Sequence, residues 1–328
     1  MSTQPSAASA SALDASDLAA FAADVEYYLS LSPRQLPSRY LYDRLGSALF
    51  EAICELPWYP ITRAERALLA RHGCEILARV DPLSTLVELG PGSGEKLTTL
   101  VSAAARARRL AVHLVDVSRA ALDLASRTVA TLGRVDIATH QATYEAGLGA
   151  AAARRGPSGR ALVLFLGSNI GNFDPPGAEE FLRTIRAALA SGDALLIGAD
   201  LVKPEAALLA AYDDPLGVTA AFNRNLLVRI NAELGGDFDV GAFHHRAIWN
   251  VADSRIEMHL VSSRRQRVRV PGASLDVTFD AGETIWTESS YKYEPDGLVS
   301  VLEQTAFRRL GQWIDESARF ALTLVEAV

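Results

Sequence analysis

Cysteine is almost missing from this chain: Cys54 and Cys74 are the two among 328 residues. They supply neither metal-ligand spacing nor a disulfide framework, so no metal site is expected and a reducing, cytoplasmic location is the default. Basic charge is also short. The 32 Lys and Arg are outnumbered by 39 Asp and Glu, for a net charge of −7. That balance excludes a general nucleic-acid partner, which calls for a dominant cationic surface. No apolar run reaches the roughly 18–20 residues of a membrane span, so no membrane partner is expected. The opening MSTQPSAASASALDASDLAA lacks a basic start and a continuous apolar core. This excludes a signal peptide and predicts a disordered tail over residues 1–20. Internal repeats are absent too.

What is present is globular: 49% of residues are hydrophobic and 22% charged, over a length that allows two modest domains. Apolar runs alternate with helical spacing through the first two-thirds. TLVELG (85–90), AVHLVDV (111–117), DIATHQA (136–142), ALVLFLGS (161–168) and DALLIGADLV (193–202) read as five strands. Helical stretches separate them, one opening at Ser118 as N-cap. Near-continuous apolar strands in βαβ rhythm predict a doubly wound, parallel α/β sheet. After Val202 come two helices, 204–214 and 218–234, and then short alternating segments that read as an antiparallel meander. RRQRVRV (264–270) reads as the charged, solvated face of an edge strand. The last forty residues return to a helix and two strands that close the first sheet. The expected organisation is a sheet domain (62–202 and 286–328) with an inserted α+β domain (21–61 and 203–285).

The stretch VELGPGSGEK (87–96) carries the chemistry. A phosphate-binding P-loop needs Lys directly after the last glycine, and here Glu95 precedes Lys96. A dinucleotide fingerprint needs its third glycine one place later than Gly94. Glu88 would repel a pyrophosphate and suits a cation. A bare loop (Gly90, Gly92, Gly94) after an acid fits S-adenosylmethionine, which has a sulfonium, an amino acid end and no phosphate. Asp116, ending the next strand, is placed to accept the ribose hydroxyls. Thr143 and Tyr144 follow the third strand, where an acid commonly approaches the adenine; Tyr144 is placed to cover the ring and Thr143 offers a hydroxyl. Lys96 is grouped with this cofactor loop. A tight turn holding no ligand, or a nicotinamide site, remains as an alternative.

FLGSNIGNFDP (165–175) resembles the histidine-specific Nα-methyltransferases of ergothioneine biosynthesis. The resemblance extends over LPSRYLYDRLGSALFEAICELPWYPITRAE, AYDDPLGVTAAFNRNLLVRIN, DFDVGAFHHRAIWN, RIEMHL, FDAGETIWTESSYKY and QWID, and so over nearly the whole chain from Leu36. It implies a Rossmann-like class I methyltransferase, acting as a monomer, that moves methyl groups from S-adenosylmethionine to the α-amino nitrogen of histidine. Three rounds give hercynine. It further implies that Asn172 and Tyr212 hold the amino and carboxylate end of the substrate. Glu288 and Ser290 would bond the imidazole, Met258 would pack on it, and Tyr42 would sit by the amino group and the methyl donor. His244 and His245 receive no role, since neighbours on a strand point to opposite sides.

One departure stands out. The family writes LPEYYPTRAE where this chain has LPWYPITRAE, so Pro60 replaces a tyrosine and Tyr59 is left to take its place. That leaves open another amine, such as tryptophan, or a noncatalytic module that binds the methyl donor or an amino acid.

Overall fold

A computed structural model describes residues 15–102, 109–153 and 159–328. The chain opens with α1 (Ala15–Leu29), β1 (Arg34–Gln35), α2 (Arg44–Glu55) and α3 (Ile61–Ala78). An alternating series follows: β2 (Leu83–Leu89), α4 (Glu95–Ser102), β3 (Leu110–Asp116), α5 (Arg119–Ala130), β4 (Val135–Gln141), α6 (Tyr144–Ala152), β5 (Arg160–Phe165), α7 (Pro175–Ala188) and β6 (Ala194–Asp200). Next come α8 (Glu205–Tyr212), α9 (Val218–Leu234), β7 (Phe243–Asn250), β8 (Arg255–Ser262), β9 (Gln266–Val270), β10 (Leu275–Phe279) and β11 (Thr284–Tyr291). The chain closes with α10 (Pro295–Gln304), β12 (Phe307–Asp315) and β13 (Phe320–Ala327).

Two compact units divide the chain: residues 1–50, 215–248 and 258–288, and residues 51–214, 249–257 and 289–328. These boundaries differ from those expected. Residues 51–61, α8 and the turn between β7 and β8 belong with the sheet unit, whereas residues 286–288 of β11 belong with the other. The expected tail is shorter too, because residues 15–20 already lie in α1, while 1–14 are outside the described residues.

The sheet unit is built on seven strands in the order β12-β13-β6-β5-β2-β3-β4. Strands β2 to β6 pair in parallel, as the sequence predicts, and β13 and β12 add at one edge, where both pair antiparallel. All seven residues of β6 are buried, as are the last five of β2, because helices cover both faces. The chain enters at β2, runs outward to β4 and returns to β5 on the other side of β2. This order makes β2/β5 the switch point, where open α/β sheets leave a crevice beyond the strand ends. Side-chain caps start the flanking helices: Ser118 Oγ accepts from the Ala121 amide and Asp174 from the Gly177 amide.

In the other unit β1, β11, β8 and β7 lie side by side in that order, and β9 and β10 form a separate hairpin. The expected single meander is therefore split. Strand β11 returns to the edge of β8, which leaves β9 and β10 to pair with each other. Val268, Val270, Val277 and Phe279 bury one face of this hairpin, while Arg267 pairs with Asp276 and Arg269 with Asp237 on its charged face. RRQRVRV is thus a solvated charged edge. Among the described residues, no helix is long and apolar enough to cross a membrane.

Candidate active site

Beyond β2 the chain turns through Gly90, Gly92 and Gly94 with φ of +72°, +52° and +78°, a region that penalises any side chain. A Cβ on Gly90 would lie 2.9 Å from the Tyr144 hydroxyl. One on Gly94 would lie 3.0 Å from the backbone of Ala125 in α5. Gly94 therefore provides close helix packing, although it comes one place early for a dinucleotide site. Gly92 has its nearest neighbour, Glu51 Oε1, at 3.9 Å, so its backbone stays approachable.

Glu88 lies two residues before this loop and is 1% exposed. Burial pushes its carboxyl up to about 8, against the pull of Lys96 and with reinforcement from Glu65 and Asp116. Its Oε2 has no protein hydrogen-bond partner. An orphaned buried carboxyl oxygen before a bare loop fits a cationic ligand and disfavours a phosphate. Asp116 ends β3, the strand beside β2. Burial raises its carboxyl while the Ser118 and Val117 amides pull it back, and Oδ1 accepts from the Ser118 amide at 2.8 Å. These residues match the functional groups of S-adenosylmethionine.

Three members of the expected cofactor set have structural partners that their motifs did not show. The Lys96 ammonium pairs with Glu65 at 2.6 Å, and both Glu65 oxygens accept from the Gly167 amide at 2.9 Å. Lys96 thus ties the glycine loop's helix to the loop after β5. Burial alone would lower its pKa, but the adjacent Glu65 carboxylate reverses that, so Lys96 stays charged. Thr143 is exposed and caps α6, its hydroxyl accepting from the Ala146 amide at 3.5 Å. The Tyr144 ring packs against Phe165 and Phe181 in the core, at 5.5 and 5.9 Å between ring centres. Its hydroxyl reaches the glycine loop, a placement that differs from the flat cover expected over an adenine.

On the substrate side, the sheet unit brings Tyr59, Tyr212 and Ser290 together. Tyr59 is buried with its ring edge-on to Tyr212, 6.2 Å between centres. Pro60 starts α3, its carbonyl accepting from the Ala64 amide. The proline therefore serves the helix start, and a tyrosine remains beside Tyr212. Tyr212 Oη and Ser290 Oγ are 2.8 Å apart. Asn172 ends a 3-10 turn after β5 and is exposed. The residue before it, Gly171, lies so close to β11 that a Cβ there would be 2.7 Å from the Tyr291 carbonyl and 3.5 Å from Ser290 Oγ.

Tyr42, Met258 and Glu288 lie in the other unit. The Tyr42 ring is half-buried, edge-on to Phe50 and Phe222 with centres 5.5 Å apart in each case. Its segment is held by Asp43, whose Oδ1 accepts from the Gly46 amide and the Asn225 side chain. Gly46 is obligatory there, because a Cβ would meet the Leu41 carbonyl oxygen at 1.7 Å. Met258 is buried in β8, and its carbonyl accepts from Thr287 Oγ1 at 2.9 Å. Glu288 follows Thr287 on β11, half-buried, and shares a strand face with Ser290.

Sequence reasoning missed a second layer. Lys292, fully buried, donates to Tyr212 Oη at 2.7 Å and Ser290 Oγ at 2.8 Å, and pairs with Asp200 Oδ2 at 3.1 Å. Asp200 also holds Lys203 at 2.6 Å. Burial lowers the Lys292 pKa, but Tyr212 and Asp200 more than restore it, so it remains an ammonium. Burial raises the Tyr212 phenol despite Lys292, so it remains protonated. One signal was available: Lys292 is two residues beyond Ser290 and continues its face.

Similarity to known proteins identifies the family. Residues 21–327 match the family described as histidine-specific methyltransferase, SAM-dependent. The chain is 42% identical over 303 residues to the histidine N-alpha-methyltransferase of Mycolicibacterium smegmatis, covering 92% of this chain and 93% of that one. It is 43% identical to the histidine N-alpha-methyltransferase of Mycobacterium tuberculosis over the same shares. An L-tryptophan methyltransferase of Psilocybe serbica is 29% identical, over 90% of this chain and 88% of that one. With a glycine loop and buried acid suited to S-adenosylmethionine, and a match spanning both units, this chain belongs to the S-adenosylmethionine-dependent, histidine-specific methyltransferase family.

Proposed function

We infer that this protein converts L-histidine to Nα,Nα,Nα-trimethylhistidine, hercynine, in ergothioneine biosynthesis. The observation that carries the reading is the family match over residues 21–327, which includes every candidate site residue. S-adenosylmethionine, when bound, supplies a methyl group made electrophilic by its sulfonium. The protein's task is then alignment, which can lower a barrier by about 7–11 kcal/mol. In this reading the backbone of Gly90, Gly92 and Gly94 receives the methionine portion, Glu88 favours its positive charge, and Asp116 takes the ribose hydroxyls. Lys96, Thr143 and Tyr144 hold the walls of that cradle.

For the amino acid, Asn172 faces the amino end, Tyr212 and Ser290 present a hydroxyl, and Glu288 accepts an imidazole N–H. Met258 packs on the ring, and Tyr42 and Tyr59 line the amino end and the ring side. A charge-assisted bond of the Glu288 kind is worth about 1.5–3 kcal/mol. The α-amine attacks as a neutral group, and none of its assigned neighbours is a strong base, so its proton leaves to water. We place the protein in the cytoplasm as a monomer with a small-molecule substrate, which light scattering tests for the oligomeric state.

Incubation with S-adenosylmethionine and histidine gives products heavier by one, two and three methyl groups. Folded protein that forms none at millimolar histidine rejects the reading. A second reading, tryptophan as the amine, draws on Pro60 and on the similarity to the L-tryptophan methyltransferase. An indole N–H can also meet Glu288, so relative turnover of the two amino acids decides between them.

A further inference from the structure

Glu65 ends the stretch LPWYPITRAE, and no role falls to it in the reading above. It is fully buried in α3. Its carboxylate holds the Lys96 ammonium at 2.6 Å, and both its oxygens accept from the Gly167 amide at 2.9 Å. The fold keeps room for it: a Cβ on Gly198, inside the buried strand β6, would lie 2.0 Å from Glu65 Oε1. Glycine within a strand weakens it and marks such a close approach. A buried ion pair adds little net stability over apolar packing of the same size, so stability alone does not account for this one. What the pair fixes is position.

The two segments it joins are those that carry the reaction. Lys96 lies in the first turn of α4, two residues beyond Gly94. Gly167 opens the turn that ends at Asn172. Gly167 and Ser168 both have left-handed backbone, with φ of +77° and +59°, which is unfavourable for a serine. The Asp200 amide donates to Ser168 Oγ and the Gly171 amide to the Ser168 carbonyl, each at 2.9 Å. Those bonds fix the turn to β6 and to itself, whereas Glu65 fixes it to the helix of the glycine loop. The two loops also abut, since a Cβ on Gly90 would lie 3.1 Å from Asn169 Nδ2. A shift of one against the other therefore moves the methyl donor relative to the amine.

We propose that Glu65 is a positioning residue for methyl transfer: one carboxylate holds α4 and the Gly167–Asn172 turn together and so sets the distance from donor to acceptor. This rests on the reading above, with the donor on the glycine loop and the amine at Asn172. Alignment of this kind acts on the rate of transfer more than on either affinity, and a misplacement of about 1 Å can cost about a hundredfold.

The test separates rate from binding in Glu65→Gln. Calorimetry reads Kd for S-adenosylhomocysteine, and for histidine in its presence; single-turnover mixing with both substrates saturating reads methyl transfer. The transfer rate is expected to fall about tenfold to a hundredfold while both Kd values stay within about threefold. A transfer rate within threefold of wild type, or affinities that fall as far as the rate, overturns the proposal. Glu65→Asp keeps the charge and shortens the arm by one methylene, and it carries the same comparison if thermal unfolding shows Glu65→Gln to be misfolded. Its transfer rate is also expected to fall with affinities retained, and wild-type speed in that variant overturns the proposal. A wild type that methylates no amino acid overturns the substrate reading instead.

Discussion

The two ends of the sheet unit's site handle buried charge in opposite ways. Glu88 and Asp200 are each 1% exposed, one near the end of β2 and the other at the end of β6. Glu88 keeps an oxygen without a protein partner and holds its proton up to about 8. Asp200 is ionically engaged on both oxygens, by Lys203 and Lys292. The first end waits for a ligand to bring positive charge. The second brings its own, in Lys203 and Lys292, and sets Lys292 against the Tyr212 and Ser290 hydroxyls.

Asp200→Asn and Glu88→Gln break that comparison most directly. Asp200→Asn strands two buried ammoniums and is expected to cost about 3–5 kcal/mol in urea unfolding at pH 7. Glu88→Gln replaces an acid that must take up a proton on folding at pH 7 with a neutral isostere, so it should not destabilise and should gain up to about 3 kcal/mol. Similar losses in both variants would contradict the contrast.

A pH series sharpens it. The Glu88 pKa is raised above its unfolded value, so its favourable contribution is complete below about 4.5 and is lost as pH rises through about 8. Between pH 5 and pH 8 the wild type should lose about 3 kcal/mol relative to Glu88→Gln. Parallel stability curves for the two proteins would show that Glu88 titrates normally.

Gly94→Ala comes next. A left-handed φ and a Cβ 3.0 Å from the Ala125 backbone should together cost about 2 kcal/mol and weaken S-adenosylmethionine binding, as read by calorimetry. The smallest effect is that of Thr143→Ala. Loss of the α6 cap should cost about 1 kcal/mol with KM for S-adenosylmethionine held within twofold. A large rise in that KM would return Thr143 to an adenine-binding role.

The same contrast explains what could be read without coordinates. The glycine loop, Glu88, Lys96 and Asp116 lie within one βαβ segment, where spacing reports geometry. Ser118 as a cap and the five parallel strands were legible for the same reason. The Lys292 cluster joins side chains 78 and 80 positions apart, which no local pattern encodes. Lys96 was legible as a residue of the loop but not in its partner, since Glu65 reaches it from α3. Tyr144 was placed at the right loop, but its ring direction depends on Phe165 and Phe181 from other elements. Pro60 read as a lost hydroxyl, whereas in the fold it begins α3 and Tyr59 stands beside Tyr212.

The most direct measurement is a competition: equal concentrations of histidine, tryptophan and the other amino acids, limiting S-adenosylmethionine, and products resolved by mass. The expected result is methylated histidine up to the trimethyl form, formed at least about tenfold faster than any other product. Tryptophan or another amine methylated faster than histidine would contradict the assignment.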